Sequence, residues 1–193
     1  MTFQILALAI LLAFYICYFS KFLAQWRRGI STDQLGKGKT GFVRAVELGV
    51  KVAAVVMPLA EAVSILCNVT ALPRWARGAG AVLGVLGVAP FACAAWTMGD
   101  SWRAGVSCEE KTELVTGGIY RFSRNPAFLG FDLMYLGELL MFFSWLLLVL
   151  SAVTVLLFHL QIVNVEEDHL IAAFGEEYIA YRRQVNRYFG RKR

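Results

Sequence analysis

Two short stretches of the 193-residue chain concentrate side chains able to bind and orient a charged small molecule. The first, residues 114–130, carries Tyr120, Arg121, Arg124, Asn125 and Phe128 among Gly117, Gly118, Pro126 and Gly130. The second, residues 166–187, opens on Glu166 and Glu167 and continues through Phe174 and Tyr178. A guanidinium can grip a carboxylate with two parallel hydrogen bonds, a carboxylate can accept from an ammonium or from hydroxyls, and an aromatic face can cover a flat ring or a cation. Asn125 before Pro126 reads as the N-cap and first residue of a helix, whose free N–H groups favour an anionic group. The same residue types also anchor helix ends at a membrane edge, and a Glu pair beyond a span is ordinarily solvated, so residue type alone does not decide between binding and anchoring.

Five further ionisable residues, Glu47, Lys51, Glu61, Asp132 and Glu138, fall inside apolar stretches, where charge is costly and often functional. Glu47 and Lys51 stand four apart and are expected to pair on one helix face. Asp132 and Glu138 stand six apart, about 240° around a helix, and cannot face one pocket. Asp132 lies nearer the two polar stretches and is the better site candidate, alongside Arg124 and Glu167. Cys17, Cys67, Cys93 and Cys108 are scattered without a CxxC pair, and His159 and His169 are the only histidines, which argues against a disulfide framework and against a metal centre.

The elements that must position these residues are apolar helices. With 58% apolar and 17% charged residues, much of the chain has to face lipid. A bilayer core of about 30 Å needs about 20 helical residues, and five runs qualify, over residues 3–22, 46–72, 76–98, 127–143 and 145–163. The expected fold is therefore all-α: a polytopic membrane protein of about five transmembrane helices with a C-terminal cytoplasmic helical segment, in one domain over residues 1–193. Gly80 and Gly84 on the third run have the small-xxx-small spacing that allows close helix packing. The fourth and fifth runs are separated only around Ser144 and should form a tight antiparallel hairpin, which brings Asn125 and Pro126 close to Glu166 and Glu167.

The net charge of +5 does not point to nucleic acid, because the basic residues gather at membrane edges. With five spans, sixteen fall in the first loop, the third loop and the tail, against Arg74 and Arg77 in the second loop. The positive-inside rule places the N-terminus outside and the C-terminus in the cytoplasm, as for a multi-pass protein of a bacterial inner membrane.

Both polar stretches are similar to signatures of the isoprenylcysteine carboxyl methyltransferase and phospholipid methyltransferase superfamily. Residues 114–130 resemble its LVTxGPYxxxRHPxYxG motif, and Glu166, Glu167, Leu170, Phe174, Gly175, Tyr178, Tyr181, Val185 and Arg187 resemble EExxLxxxFGxxYxxYxxxVxR. The resemblance implies a methyltransferase-like core over residues 99–188 and the cofactor S-adenosyl-L-methionine, entering from the cytoplasm. It implies that Gly118, Tyr120, Arg121, Arg124, Asn125, Pro126, Phe128, Gly130, Glu166, Glu167, Phe174 and Tyr178 line the cofactor pocket, with Glu167, Arg124 and Asp132 as the groups nearest the chemistry. In that pocket Arg121 or Arg124 would take the cofactor's carboxylate, and Glu166 or Glu167 its ammonium or ribose hydroxyls.

The acceptor expected from the resemblance is a lipid or lipophilic small molecule reaching the site from the bilayer, with O-, S- or N-methylation left open. Methyl transfer from a sulfonium is an in-line displacement that needs positioning and exclusion of water, and no covalent nucleophile, metal or obligate protein partner. Three positions depart from the signature: Ile119 replaces Pro, Asn125 replaces His and Phe128 replaces Tyr. An amide at 125 can hydrogen-bond but cannot titrate near neutrality, so position 125 is expected to bind rather than to act as a base. Two rival readings are an NADPH-dependent membrane reductase of the related sterol reductase type and a non-catalytic membrane protein that keeps the scaffold.

Overall fold

A computed structural model describes residues 1–106 and 112–192 of the chain. Cys108, Lys111 and Arg193, which entered the charge and cysteine arguments, lie outside the described residues. The architecture is helical: α1 Thr2–Trp26, α2 Gly41–Leu66, α3 Arg74–Thr97, α4 Pro126–Met141, α5 Trp145–Gln161, α6 Glu167–Phe174 and α7 Glu176–Gln184. Four stretches, Thr2–Trp26, Gly41–Leu66, Arg74–Thr97 and Trp145–Phe174, are long and apolar enough to cross a membrane. The last of these runs from α5 through α6 without a break. The fourth apolar run becomes α4, whose 16 residues span only about 24 Å. It is a multi-pass membrane fold, with a shorter α4 set against the long helices.

From α1 to α5, successive helices run antiparallel. Gln4 Nε2 donates to the Ile65 carbonyl at 2.9 Å and ties the start of α1 to the end of α2. At the same end, the Arg77 guanidinium lies over the rings of Phe3 and Phe142, 4.6 and 4.8 Å from their centroids. The hairpin between α4 and α5 is as tight as expected, and the Ser144 hydroxyl caps α5 by accepting from the Leu147 N–H at 3.1 Å. Exposed apolar side chains such as Leu12, Ile16, Val52, Leu59, Val82 and Val149 cover the outer faces, as lipid contact requires.

The small-residue spacing is a helix seam. A Cβ on Gly87 would lie 2.7 Å from the Gly130 carbonyl oxygen, and one on Gly137 would lie 2.5 Å from the Gly84 nitrogen. α3 and α4 thus touch backbone to backbone, which only glycine permits. Beside the seam an aromatic core joins α1, α3 and α4, with Phe14 4.5 Å and Phe131 5.2 Å from Phe91 between ring centroids.

One local expectation fails. Glu47 and Lys51 do not pair: Lys51 reaches Asp33 in the preceding loop at 2.6 Å, while fully buried Glu47 accepts from the Gly36 N–H at 2.6 Å and from Gln161 Nε2 at 3.4 Å. The loop folds back over the start of α2 and offers each group a better partner than its neighbour one turn away.

Candidate active site

The first polar stretch becomes a turn and a helix start. Gly118 has φ +56°, a conformation that side chains strain to adopt, and a Cβ there would lie 2.9 Å from the Thr97 side chain. The turn buries Tyr120, whose carbonyl accepts from the Tyr181 hydroxyl at 2.7 Å. Pro126 begins α4 as expected. Asn125 stands at the N-cap, but its side chain makes no capping bond and instead donates from Nδ2 to the Arg187 carbonyl at 3.0 Å. Two backbone bonds complete this attachment of the tail, Arg124 N–H to the Asn186 carbonyl at 3.1 Å and Gly190 N–H to the Phe122 carbonyl at 2.7 Å.

The second stretch begins where α5 widens into a π-helical turn, Ile162–Glu166. A wide turn shifts the faces that follow it, and such turns often stand at functional positions. The two glutamates then have different surroundings. Glu167 is nearly inaccessible and holds three arginines: Arg124 Nη2 at 3.0 Å, Arg187 with two bonds at 2.7 and 3.0 Å, and Arg182 at 3.8 Å. Arg124 Nη1 also donates to the Tyr178 hydroxyl at 2.7 Å. Burial raises the Tyr178 phenol above its ordinary range although the Arg124 charge acts the other way, so Tyr178 stays protonated and keeps its own O–H as a donor.

Arg124, Tyr178 and Glu166 border a cavity of about 220 Å³. Phe91, Phe131, Tyr135 and Phe158 form its apolar part, and Arg103, Arg124, Asn125, Gln161, Glu166, His169 and Tyr178 are among its polar lining. Of the twelve residues expected around a cofactor, Tyr120, Arg124, Asn125, Pro126, Phe128, Glu166 and Tyr178 line this space. The others stand elsewhere. Glu167 is behind Arg124, Arg121 is exposed, Gly118 backs onto Thr97, Gly130 belongs to the helix seam, and Phe174 packs in an apolar cluster with Tyr120 and Tyr178. Asp132 lines a separate cavity between α4 and α5, together with His159 and Tyr188, whose Nδ1 and hydroxyl are 2.6 Å apart.

A profile of the phospholipid methyltransferase family matches residues 75–177, more than half of the chain, with both polar stretches inside the match except the last residues from Tyr178 onward. The chain belongs to the phospholipid methyltransferase family. Among its relatives, the protein-S-isoprenylcysteine O-methyltransferase of Saccharomyces cerevisiae is 33% identical over 108 residues, 55% of this chain and 45% of the yeast protein. That of Rattus norvegicus is 31% identical over 113 residues, 58% of this chain and 40% of the rat protein. Protein-S-isoprenylcysteine O-methyltransferase A of Arabidopsis thaliana is 31% identical over 113 residues, covering 58% and 57% of the two chains. The match thus spans less than half of the yeast and rat relatives.

For this member of the phospholipid methyltransferase family, three buried atoms without a hydrogen-bond partner among the described residues belong to side chains that line the cavity. They are Arg124 Nε, the Tyr135 hydroxyl and Gln161 Oε1. The first can only donate, the third can only accept, and the phenol can do either. Sequence reasoning found Arg124 through its motif but missed Tyr135 and Gln161. A single glutamine at the end of an apolar run carries no spacing signal, and its hydrogen-bond partner Glu47 lies 114 positions away.

Proposed function

We propose that the chain is an S-adenosyl-L-methionine-dependent methyltransferase acting on a lipid or lipophilic small molecule at the cytoplasmic face of the membrane. The observation that carries this reading is the cavity itself: an aromatic chamber inside the helical bundle to whose polar surface both family-signature segments contribute. The residues fit the cofactor. Arg124 has a buried donor without a partner, suited to a carboxylate, and Tyr178 offers a second donor beside it. Tyr120 and Phe128 provide aromatic surface for adenine, and Glu166 an acceptor for an ammonium or ribose hydroxyls. When bound, the cofactor supplies an electrophilic methyl group on a sulfonium.

The chain's own contribution is then positioning. Glu167 does not reach the cavity; it fixes the Arg124 guanidinium, and with Arg187 it ties the tail across the start of α4. Asn125 acts in the same way, through the Arg187 carbonyl. The aromatic depth excludes water from the reacting centre and accepts an apolar substrate. The relatives' name, protein-S-isoprenylcysteine O-methyltransferase, supports a lipid-modified acceptor.

The orientation proposed is N-terminus outside and C-terminus cytoplasmic, supported by the sixteen-to-two distribution of basic residues. A C-terminal alkaline phosphatase fusion tests it. The fusion is expected to be inactive, and an active one would reverse the topology and move the cavity mouth to the other face.

A further inference from the structure

The second cavity, between α4 and α5, has a volume of about 730 Å³ and meets the central one at Tyr135, the only residue among those described that lines both. Leu136, Leu139, Leu148, Val155 and Leu156 give it an aliphatic wall. Leu136, Val155 and Leu156 are also exposed, so the cavity opens on the lipid-facing surface. Its polar groups are few. His159 and Tyr188 satisfy each other at 2.6 Å, which leaves Asp132 and Ser151. Asp132 Oδ1 and Ser151 Oγ are buried without a hydrogen-bond partner among the described residues, and Ser151 is only 6% exposed. The two residues lie roughly 13 and 9 Å along their helices from the turn that joins α4 to α5, so they stand at similar depth, within the helices rather than at their ends. Hydrocarbon offers no hydrogen-bond partner at that depth, and a polar group left bare in it is costly.

We propose that this cavity binds an aliphatic alcohol, a lipophilic molecule whose hydroxyl pairs with Asp132 and Ser151 while its chain lies along α4 and α5. The two partners select the head. A hydroxyl both donates and accepts, so it matches the serine hydroxyl, and it pairs with Asp132 as a carboxylate or as a carboxyl. An ammonium would be a charge held away from the interface, and a second carboxylate would bring like charge against Asp132. Water would meet the two polar groups but leave the aliphatic wall and the open side unfilled. The wall selects the chain, because it is leucine and valine where the central cavity is aromatic. Neither Asp132 nor Ser151 lines the central cavity, so the site does not depend on the methyltransferase reading.

The test is photolabelling of the full chain in uncharged detergent with a hexadecanol that carries a diazirine on its chain, followed by peptide mapping. Labelling is expected to saturate at one per chain and to map to α4 and α5 around Leu136, Val155 and Leu156. Unlabelled hexadecanol should displace the probe at least tenfold more effectively than hexadecane, hexadecylamine or hexadecanoate. Ser151→Ala is expected to lower probe affinity about fivefold, the loss of one neutral hydrogen bond, and Asp132→Leu at least tenfold. Ala152→Phe, at an exposed position of the lining, fills the space and should abolish labelling. Circular dichroism and elution volume show which variants fold as wild type does, and Ala152→Phe and Ser151→Ala carry the test if Asp132→Leu does not. Labelling that fails to saturate, equal displacement by hexadecane, or unchanged labelling in the folded variants would overturn the site. Label found on Phe91 or Trp102 would place the alcohol in the central cavity and overturn it equally.

Discussion

Where α4 lies against α3, Gly80, Gly84, Gly87, Gly130 and Gly137 let two backbones touch; at the start of the same α4, Arg124 is held by the carboxylate of Glu167. The first region joins its helices by close backbone packing at glycines. The second joins three segments distant in sequence by charge: the loop before α4, the turn after α5, and the tail. The seam fixes how the bundle is built, and the charge cluster fixes what the bundle presents to the cavity. A change at the seam should therefore act on stability first, and a change in the cluster on both stability and binding.

The largest effect is expected from Glu167→Gln. It leaves Arg124, whose side chain is only 4% exposed, without its counter-charge, and a broken buried pair costs about 3 to 5 kcal/mol. Denaturant unfolding in detergent measures the loss, which should come with weaker S-adenosylhomocysteine binding. Gly130→Ala comes next. Its new Cβ would lie 2.8 Å from the Gly87 carbonyl oxygen and from Phe91 Cβ, so the helices must separate, at about 1 to 3 kcal/mol. Unfolding should detect that loss while ligand affinity in the folded fraction stays unchanged. Equal weakening of binding by both variants would erase the division between the regions.

Tyr181→Phe sharpens the comparison inside the charged region. It removes only the neutral bond from the Tyr181 hydroxyl to the Tyr120 carbonyl, worth about 1 kcal/mol, and leaves the arginines in place. The smallest effect is expected from Arg28→Ala. The ion pair of Arg28 with Asp100 is short, 2.6 Å, but both side chains are more than half exposed, so its removal should change stability by less than about 1 kcal/mol. A larger loss would show that charge organises more of the molecule than the Glu167 cluster.

Local patterns carried much of this into the sequence. The spacing of Gly80 and Gly84, the short break around Ser144 and the two signature segments each depend on residues close together in the chain, and each appears in the structure where the pattern puts it. What was not legible depends on tertiary partners. Asn125 has the residue type of an N-cap, but the Arg187 carbonyl, brought in by the tail, takes its amide. Glu167 has the type of a ligand contact, but Arg124, Arg182 and Arg187 surround it first. Asp132 is near the site in sequence, yet its position on α4 turns it to a different cavity. Glu47 and Lys51 have ideal pairing distance, and a folded loop supplies each with another partner. In every case the residue's chemistry was readable and its partner was not.

In the proposed function, Arg124 presents a donor to a cofactor carboxylate within this cavity. Its most direct test is calorimetric titration of S-adenosylhomocysteine and, separately, NADPH into the detergent-purified full chain, wild type and Arg124→Ala. Wild type is expected to bind one S-adenosylhomocysteine per chain and no NADPH, and Arg124→Ala to bind S-adenosylhomocysteine about tenfold more weakly, the loss of one charge-assisted contact. Saturable binding of NADPH without S-adenosylhomocysteine, or an unchanged affinity in folded Arg124→Ala, would contradict it.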